Sequence, residues 1–212
     1  MVSLAVPAQT RVEVGVIGAA AVLSGLQAPA VLKSVDGETT LVALSGPVRA
    51  DTVSGSVEAQ SVTGDLRFVS ASGDLTVVEG SGPSVRADTV SGSMIVDLNP
   101  DGPTDVRLSS VSGEIAIRLP DPADAQVEAN TASGAISNAF ENLQVKGRWG
   151  THKLTGRLGT GSGKLRATTV SGSIALLRRP AAATGEPAPR PGSEDTAGTP
   201  EDNAGTTDKK VL

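Results

Sequence analysis

The chain has 212 residues, including 25 glycines and 13 prolines but only two phenylalanines, one tryptophan, one histidine and no cysteine. This inventory excludes a disulfide framework and a zinc site built from thiolate and imidazole ligands. The net charge of −5 and the aromatic content of 1 % also argue against nucleic acid, which requires a basic surface or stacking platforms. We therefore expect no nucleic-acid partner, no metal and no cofactor.

Residues 1–33 are predicted to form an N-terminal β segment with incomplete first coils. Residues 14–32 carry no charge, and the stretch from Ala28 to Ala30 loosely resembles a signal-peptide cleavage site. However, Arg11 and Glu13 cancel, so the basic region of a secretory signal is missing. The many glycines and alanines also make a poor membrane span. We predict short strands and loops here, no transmembrane segment and, by default, a cytoplasmic location.

Residues 34–179 form a predicted β-repeat domain that contains three near copies of one segment. These copies are RADTVSGSV, RADTVSGSM and RATTVSGSI, which begin at Arg49, Arg86 and Arg166. Large apolar residues recur two positions before the aligned glycines and two and four positions after them. This period of two predicts short strands with one buried face. We expect the glycines to supply bends, because glycine adopts positive φ without steric penalty.

The glycine spacing predicts a coil. Glycines recur every nine residues from Gly37 to Gly82, and alternate members of the series differ in the residue that follows them. A turn with two strands and two corners would produce this pattern, as in a β-solenoid or β-roll. Hydroxyl groups beside the glycines could form hydrogen-bonded ladders along the stack. A sandwich or meander is the alternative, because the sequence alone does not decide between parallel and antiparallel pairing.

The repeat is interrupted between Gly134 and Gly147, and the aromatic residues of the region concentrate there. Phe140 lies in the interruption, and Trp149 and His152 follow it. These three residues are candidates for an interaction site. The alternative is structural, with Trp149 at a core position where a bulky side chain closes the end of the solenoid.

Residues 180–212 are rich in proline, alanine, glycine and acidic residues, with only Val211 and Leu212 as large aliphatics. Such a segment buries too little apolar surface to offset its ordering entropy. We predict a disordered tail that either solubilises the protein or contacts a partner.

Familiar catalytic and binding motifs are not matched. The segment GTGSGKL, from Gly159 to Leu165, lacks the first glycine and the final hydroxyl of a phosphate-binding loop. Asp65, Asp74 and Glu114 could form a carboxylate row on one face, but short rungs without long loops provide no cleft. We assign no catalytic residue.

The TVSGS segments, together with NAFENL, RWG and TTVSGSIALLRRP, resemble the bacterial β-strand-repeat family DUF4097, whose members are described as adhesin-like. The resemblance covers about residues 34–179 and implies a β-solenoid-like domain without established catalytic residues. Similar proteins have more β-strand sequence ahead of this region, so the first coil is either capped or exposes an open edge for self-association. We expect a non-enzymatic scaffold that contacts proteins or the cell envelope. The alternative is a carbohydrate-active hydrolase or lyase on a β-solenoid.

Overall fold

A computed structural model describes residues 3–148 and 151–179, and every helix or strand element in those ranges is a strand. The first nine strands are β1 Val12–Val16, β2 Ala21–Ser24, β3 Ala30–Ser34, β4 Glu38–Val42, β5 Val48–Thr52, β6 Ser56–Gln60, β7 Leu66–Ser70, β8 Leu75–Gly80 and β9 Ser84–Thr89. The others are β10 Met94–Leu98, β11 Asp105–Ser110, β12 Ile115–Leu119, β13 Ala125–Thr131, β14 Ile136–Asn138, β15 Leu143–Arg148, β16 Thr151–Leu158, β17 Gly163–Thr169 and β18 Ile174–Arg178. The predicted disordered tail and Trp149 lie outside the described residues. No helix of sufficient length and apolarity to cross a membrane occurs in the described part of the chain.

The strands form two sheets that share one core. The ten-stranded sheet has the order β1-β3-β5-β7-β9-β11-β17-β13-β16-β15, and the eight-stranded sheet has the order β14-β18-β12-β10-β8-β6-β4-β2. One strand from each sheet makes a coil, and successive coils pair in parallel and mostly in register. The predicted β-solenoid of short, glycine-cornered strands is therefore confirmed.

Along each strand, buried and exposed side chains alternate, and this alternation explains how a core with so few aromatic residues can form. In β5, Val48, Ala50 and Thr52 point into the core while Arg49 and Asp51 face outward. The same pattern recurs in every coil, so the interior is filled by stacked aliphatic side chains, with Phe68 the largest of those that are fully buried. Aliphatic rows of this kind supply the burial that ordinary domains obtain partly from rings.

The last coil does not follow the chain order. Strands β17 and β18 insert between the β11–β12 coil and the β13–β14 coil, pairing in parallel with both neighbours. The intervening β15–β16 hairpin pairs antiparallel with β13 and extends the ten-stranded sheet. One end of the solenoid is thus covered by a hairpin, whereas β1 and β2 end the two sheets at the other.

Each coil has one corner that we call the TVSG corner after its most frequent sequence, and the glycine at this corner is required by close approach between coils. A Cβ on each of six of these glycines would overlap the backbone carbonyl of the glycine one coil away. The stacked glycines, in spatial order, are Gly37, Gly55, Gly73, Gly92, Gly113, Gly172 and Gly134. Only Gly37 has a positive φ, so the expectation that these glycines serve as left-handed bends is wrong at the other six.

Positive φ occurs instead near the opposite corners. Gly25, Ala43, Ser61 and Glu79 follow one another at intervals of 18 residues, and all have φ between 51° and 68°. Three of the four are not glycine, which shows that stacking of equivalent positions maintains a backbone conformation that ordinary side chains disfavour.

Hydroxyl groups form the predicted ladder at the TVSG corner. Except at Gly37, the residue before each stacked glycine is a serine that donates both its N–H and its hydroxyl to one carbonyl of the adjacent coil, as Ser72 does to Val53. Inside the corner, a buried threonine or serine accepts the N–H of the glycine three residues later, as Thr89 does from Gly92. The side-chain hydroxyl of the corner thus provides a hydrogen-bond acceptor for the buried N–H of the glycine.

The valine of the TVSG motif is exposed, contrary to the expectation that the position two before each glycine faces the core. Val53, Val90 and Val170 are each about half exposed, because the strand has already ended at the preceding threonine and the chain turns outward. At the opposite corners the expectation holds, since Val62 is buried.

We expect Gly92→Ala to destabilise the domain by about 1–3 kcal/mol, because the new Cβ would lie 2.7 Å from the carbonyl carbon of Gly73 and force the coils apart. Urea unfolding monitored by circular dichroism measures this. Gly102→Ala is the matched control, since nothing lies within 4 Å of a Cβ there. Equal stability of the two variants would contradict the close-approach explanation.

Thr89→Val should also cost about 1–3 kcal/mol, because it leaves the buried N–H of Gly92 without its acceptor at nearly constant side-chain volume. Thr89→Ser retains the acceptor and should lose less. Thr168→Val, on the exposed outer face, controls for the loss of a hydroxyl. The melting temperature of each variant measures the effect. Equal melting temperatures for Thr89→Val and Thr168→Val would rule out the proposed role of the Thr89 hydroxyl.

Candidate interaction face

Arginines form a row across the outer face of the ten-stranded sheet. Strands β5, β7, β9, β11 and β17 are consecutive neighbours in this sheet, and each carries an arginine at the same register position. We call the row the arginine ladder: Arg49, Arg67, Arg86, Arg107 and Arg166. Neighbouring strands are about 4.8 Å apart, so the five Cα positions span about 19 Å.

The repeat itself produces the ladder. Each arginine stands between two inward-facing residues, as Arg86 does between Val85 and Ala87, and must therefore point outward. In-register parallel pairing then places equivalent repeat positions side by side. Insertion of β17 next to β11 adds the fifth rung, and Glu128 on β13 occupies the next position in the row.

Carboxylates lie beside the ladder and partly neutralise it. Arg49 donates a hydrogen bond of 2.8 Å to Asp51, which raises the pKa of the guanidinium. The other ion pairs are looser: Arg86 and Arg107 lie 3.9 and 3.7 Å from Asp105. Exposed pairs of this kind contribute little to stability.

Glu128 lies beside the last rung, with Arg166 3.6 Å from one of its carboxylate oxygens. The hydrogen bond from Lys153, with a smaller contribution from Arg166, lowers the pKa of Glu128. Among the residues described, no carboxylate lies within 4.0 Å of the Arg67 guanidinium. Arg67, the second rung of the ladder, is therefore the least neutralised of the five.

The two outer faces differ in charge. Strands β3, β5, β7, β9, β11 and β17 present seven cationic side chains outward, namely Lys33, Arg49, Arg67, Arg86, Arg107, Lys164 and Arg166, against the three carboxylates of Asp51, Asp88 and Asp105. In the eight-stranded sheet, the central outward row is almost uncharged and runs Thr40, Glu58, Thr76, Ile95, Ala116 and Ala175. One face of an acidic protein is thus locally basic.

The aromatic and histidine candidates lie near the hairpin end. Phe140 is buried, and the Arg178 guanidinium lies 5.3 Å from the centre of its ring. His152 is half-buried in β16, and its Nδ1 lies 2.9 Å from the carbonyl oxygen of Gly134, so this nitrogen carries the proton. Both side chains contact their own chain, and their role in interaction stays a prediction. Trp149 is outside the described residues.

The sequence matches the family model Toastrack DUF4097 over residues 30–177. The protein belongs to the DUF4097 family. The chain is also similar to the crystal structure of a "putative cell adhesion protein" from Clostridium sporogenes, with 11 % identity, a TM-score of 0.37 and coverage of 81 % of this chain and 93 % of that chain. No curated protein matches the sequence.

Sequence reasoning did not identify the arginine ladder in this DUF4097 domain, although part of the signal was visible. Two of the near copies begin RADT and the third begins RATT, so Arg49, Arg86 and Arg166 occupy one repeat position. Once the coils stack in register, that position becomes a row. The net charge of −5 concealed it, because a sum over the whole chain does not show where the charges lie.

The three carboxylates considered in the sequence do not converge. Asp74 and Glu114 follow Gly73 and Gly113 at the TVSG corners, two coils apart, whereas Asp65 lies at an opposite corner. Asp74 accepts the N–H of Ser93 from the coil between them. Within the described residues, no group of three or more histidines, cysteines, aspartates or glutamates could hold a metal ion.

The GTGSGKL segment of the DUF4097 domain surrounds one of its own carboxylates. Hydroxyls of Thr160 and Ser162 and the N–H groups of Ser162 and Gly161 donate to Asp124. These donors, in that order of effect, lower the pKa of Asp124 to about 2. The loop is therefore an anion-binding turn whose anion is an internal side chain, and it fixes the start of β17.

Since the folded-state pKa of Asp124 lies below its usual value of 3.8, its stabilising contribution is complete above about pH 4 and is lost as the pH falls towards 2. We expect Asp124→Asn to lower the Tm at pH 7, with the difference from wild type shrinking between about pH 4 and 2. Asp101→Asn, an exposed aspartate in a nearby loop, is the control. A constant difference across this range would contradict the assignment.

Proposed function

We propose that this DUF4097 domain is a non-enzymatic β-repeat scaffold that mediates interaction with proteins or with the cell envelope, and that the arginine ladder face is its main contact surface. The observation that carries the proposal is the in-register alignment of five exposed arginines on one sheet of a chain whose net charge is −5. A basic surface on an acidic protein directs binding to that surface by electrostatic complementarity.

Rigidity supports this proposal. Backbone hydrogen bonds and stacked glycines fix each ladder strand on both sides, so the Cα atoms of the arginines are already in position before a partner arrives. Binding then orders side chains but not the backbone, which reduces its entropic cost. A surface on sheet strands is also more regular than one assembled from loops.

The alternative function is hydrolysis or elimination on a glycan. That chemistry uses paired carboxylates near one bond, and the carboxylate set suggested by the sequence is divided between two corners. Self-association through the edge strands β1 and β2 is a second mode of interaction that stays a prediction. Half-buried Val12, Val14 and Val16 line that end of the core.

The experiment is co-sedimentation of the purified full chain with the washed, insoluble cell-envelope fraction of the producing bacterium. We expect the protein to enter the pellet, and raised salt to release it, because screening weakens interactions between exposed charges. An acidic, unrelated protein of similar size controls for trapping. Absence of sedimentation together with release of reducing sugar from the envelope would contradict the proposal and favour the enzyme.

A further inference from the structure

We propose that the arginine ladder binds the carboxylates of an extended acidic polysaccharide lying along the stacking axis of the solenoid. This inference deepens the proposed function and rests on it. The ligand is a linear glycan with a carboxylate on its repeating sugar, and the ladder arginines hold these carboxylates. The central contacts are Arg67, Arg86 and Arg107.

The geometry of the ladder favours a linear, regularly charged polymer. The rungs recur at one strand spacing, about 4.8 Å, and the row spans about 19 Å. A globular partner would meet such a row with irregularly placed charges. A polymer of identical units matches the regular spacing of the arginines. Once one carboxylate has bound, the next carboxylates are held at a high effective concentration near the other arginines, so each further contact adds to affinity.

The guanidinium groups have free donors for this task. Of the five ladder side chains, only Arg49 donates a hydrogen bond to another described residue, whereas the ion pairs of Arg86, Arg107 and Arg166 are at 3.6–3.9 Å. Arg67 has no carboxylate within 4.0 Å in the described part of the chain. A guanidinium presents donors in a planar fork that matches the two oxygens of a carboxylate.

The surroundings of the ladder favour a carboxylated glycan over a nucleic acid. Asp51 and Asp88 lie in the next outward row and repel phosphates or other anionic groups that extend beyond the ladder. Ser109 and Thr168, in the same row, offer hydroxyls to a sugar. No aromatic side chain lies on this face among the described strands, so bases would find nothing on which to stack.

Binding of fluorescein-labelled polygalacturonate to the full chain, followed by fluorescence anisotropy, tests the inference. We expect saturable binding that weakens with salt, and no binding of neutral dextran. The double variant Arg67→Gln/Arg86→Gln should weaken binding about tenfold, which corresponds to two lost exposed ionic contacts. Arg118→Gln/Arg178→Gln removes the same charge from strands β12 and β18 of the eight-stranded sheet and should change affinity less than about twofold.

Circular dichroism and thermal unfolding establish that both double variants are folded. Weakening of polygalacturonate binding by the ladder variant alone supports the inference, whereas equal weakening by both variants overturns it in favour of a general charge effect. Tighter binding of poly(dT), polyphosphate or polyglutamate than of polygalacturonate also overturns it. If wild type sediments with envelopes and the ladder variant sediments less, but polygalacturonate does not bind, this inference fails and the proposed function stands.

Discussion

The approach of each coil to its neighbour at the TVSG corner determines the rest of the structure. Backbone carbonyls occupy the space where a Cβ would otherwise lie, so glycine is required at this corner of each coil, as it is at Gly64 and Gly82 of the opposite corners, and the coils stack in register. That register aligns the buried hydroxyls, the serine hydroxyl ladder and the aliphatic rows of the core. A side chain at one of these glycines would disturb all of them together, because each depends on the same distance between coils.

Register also connects the core to the surface. In a parallel stack, whatever occupies an outward position in one repeat lies beside its equivalents in the next, so repetition of a single arginine creates a charged row without any loop or pocket. Insertion of β17 beside β11 lengthens this row, since it brings Arg166 next to Arg107 and places Glu128 after it. The unusual order of the last coils thus affects the proposed contact surface, because it adds a fifth arginine to the ladder.

The period of two and the spacing of the glycines were sufficient to predict the two-strand coil, and the hydroxyls beside glycine predicted their ladder. The same pattern misplaced Val53 and its equivalents, because alternation does not show where a strand ends and the chain turns outward. The position of β17 and β18 was not predictable from the repeat, since RATTVSGSI can pair equally well with any similar coil. Phe140 was identified as unusual, but only the structure shows that it is buried beneath Arg178.

Five like charges in adjacent rungs oppose stacking, and the carboxylates beside the ladder offset that repulsion. Asp51, Asp105 and Glu128 lie within 4.0 Å of ladder arginines, yet all four of these ion pairs are partly exposed and contribute little to stability. A ligand that brings its own carboxylates replaces weak internal pairs at little cost and neutralises Arg67, which has no carboxylate within 4.0 Å among the described residues. The carboxylates that offset repulsion in the unbound stack therefore also leave the ladder available, and a polymer whose charges follow the arginine row fits better than one whose charges extend to the row of Asp51 and Asp88.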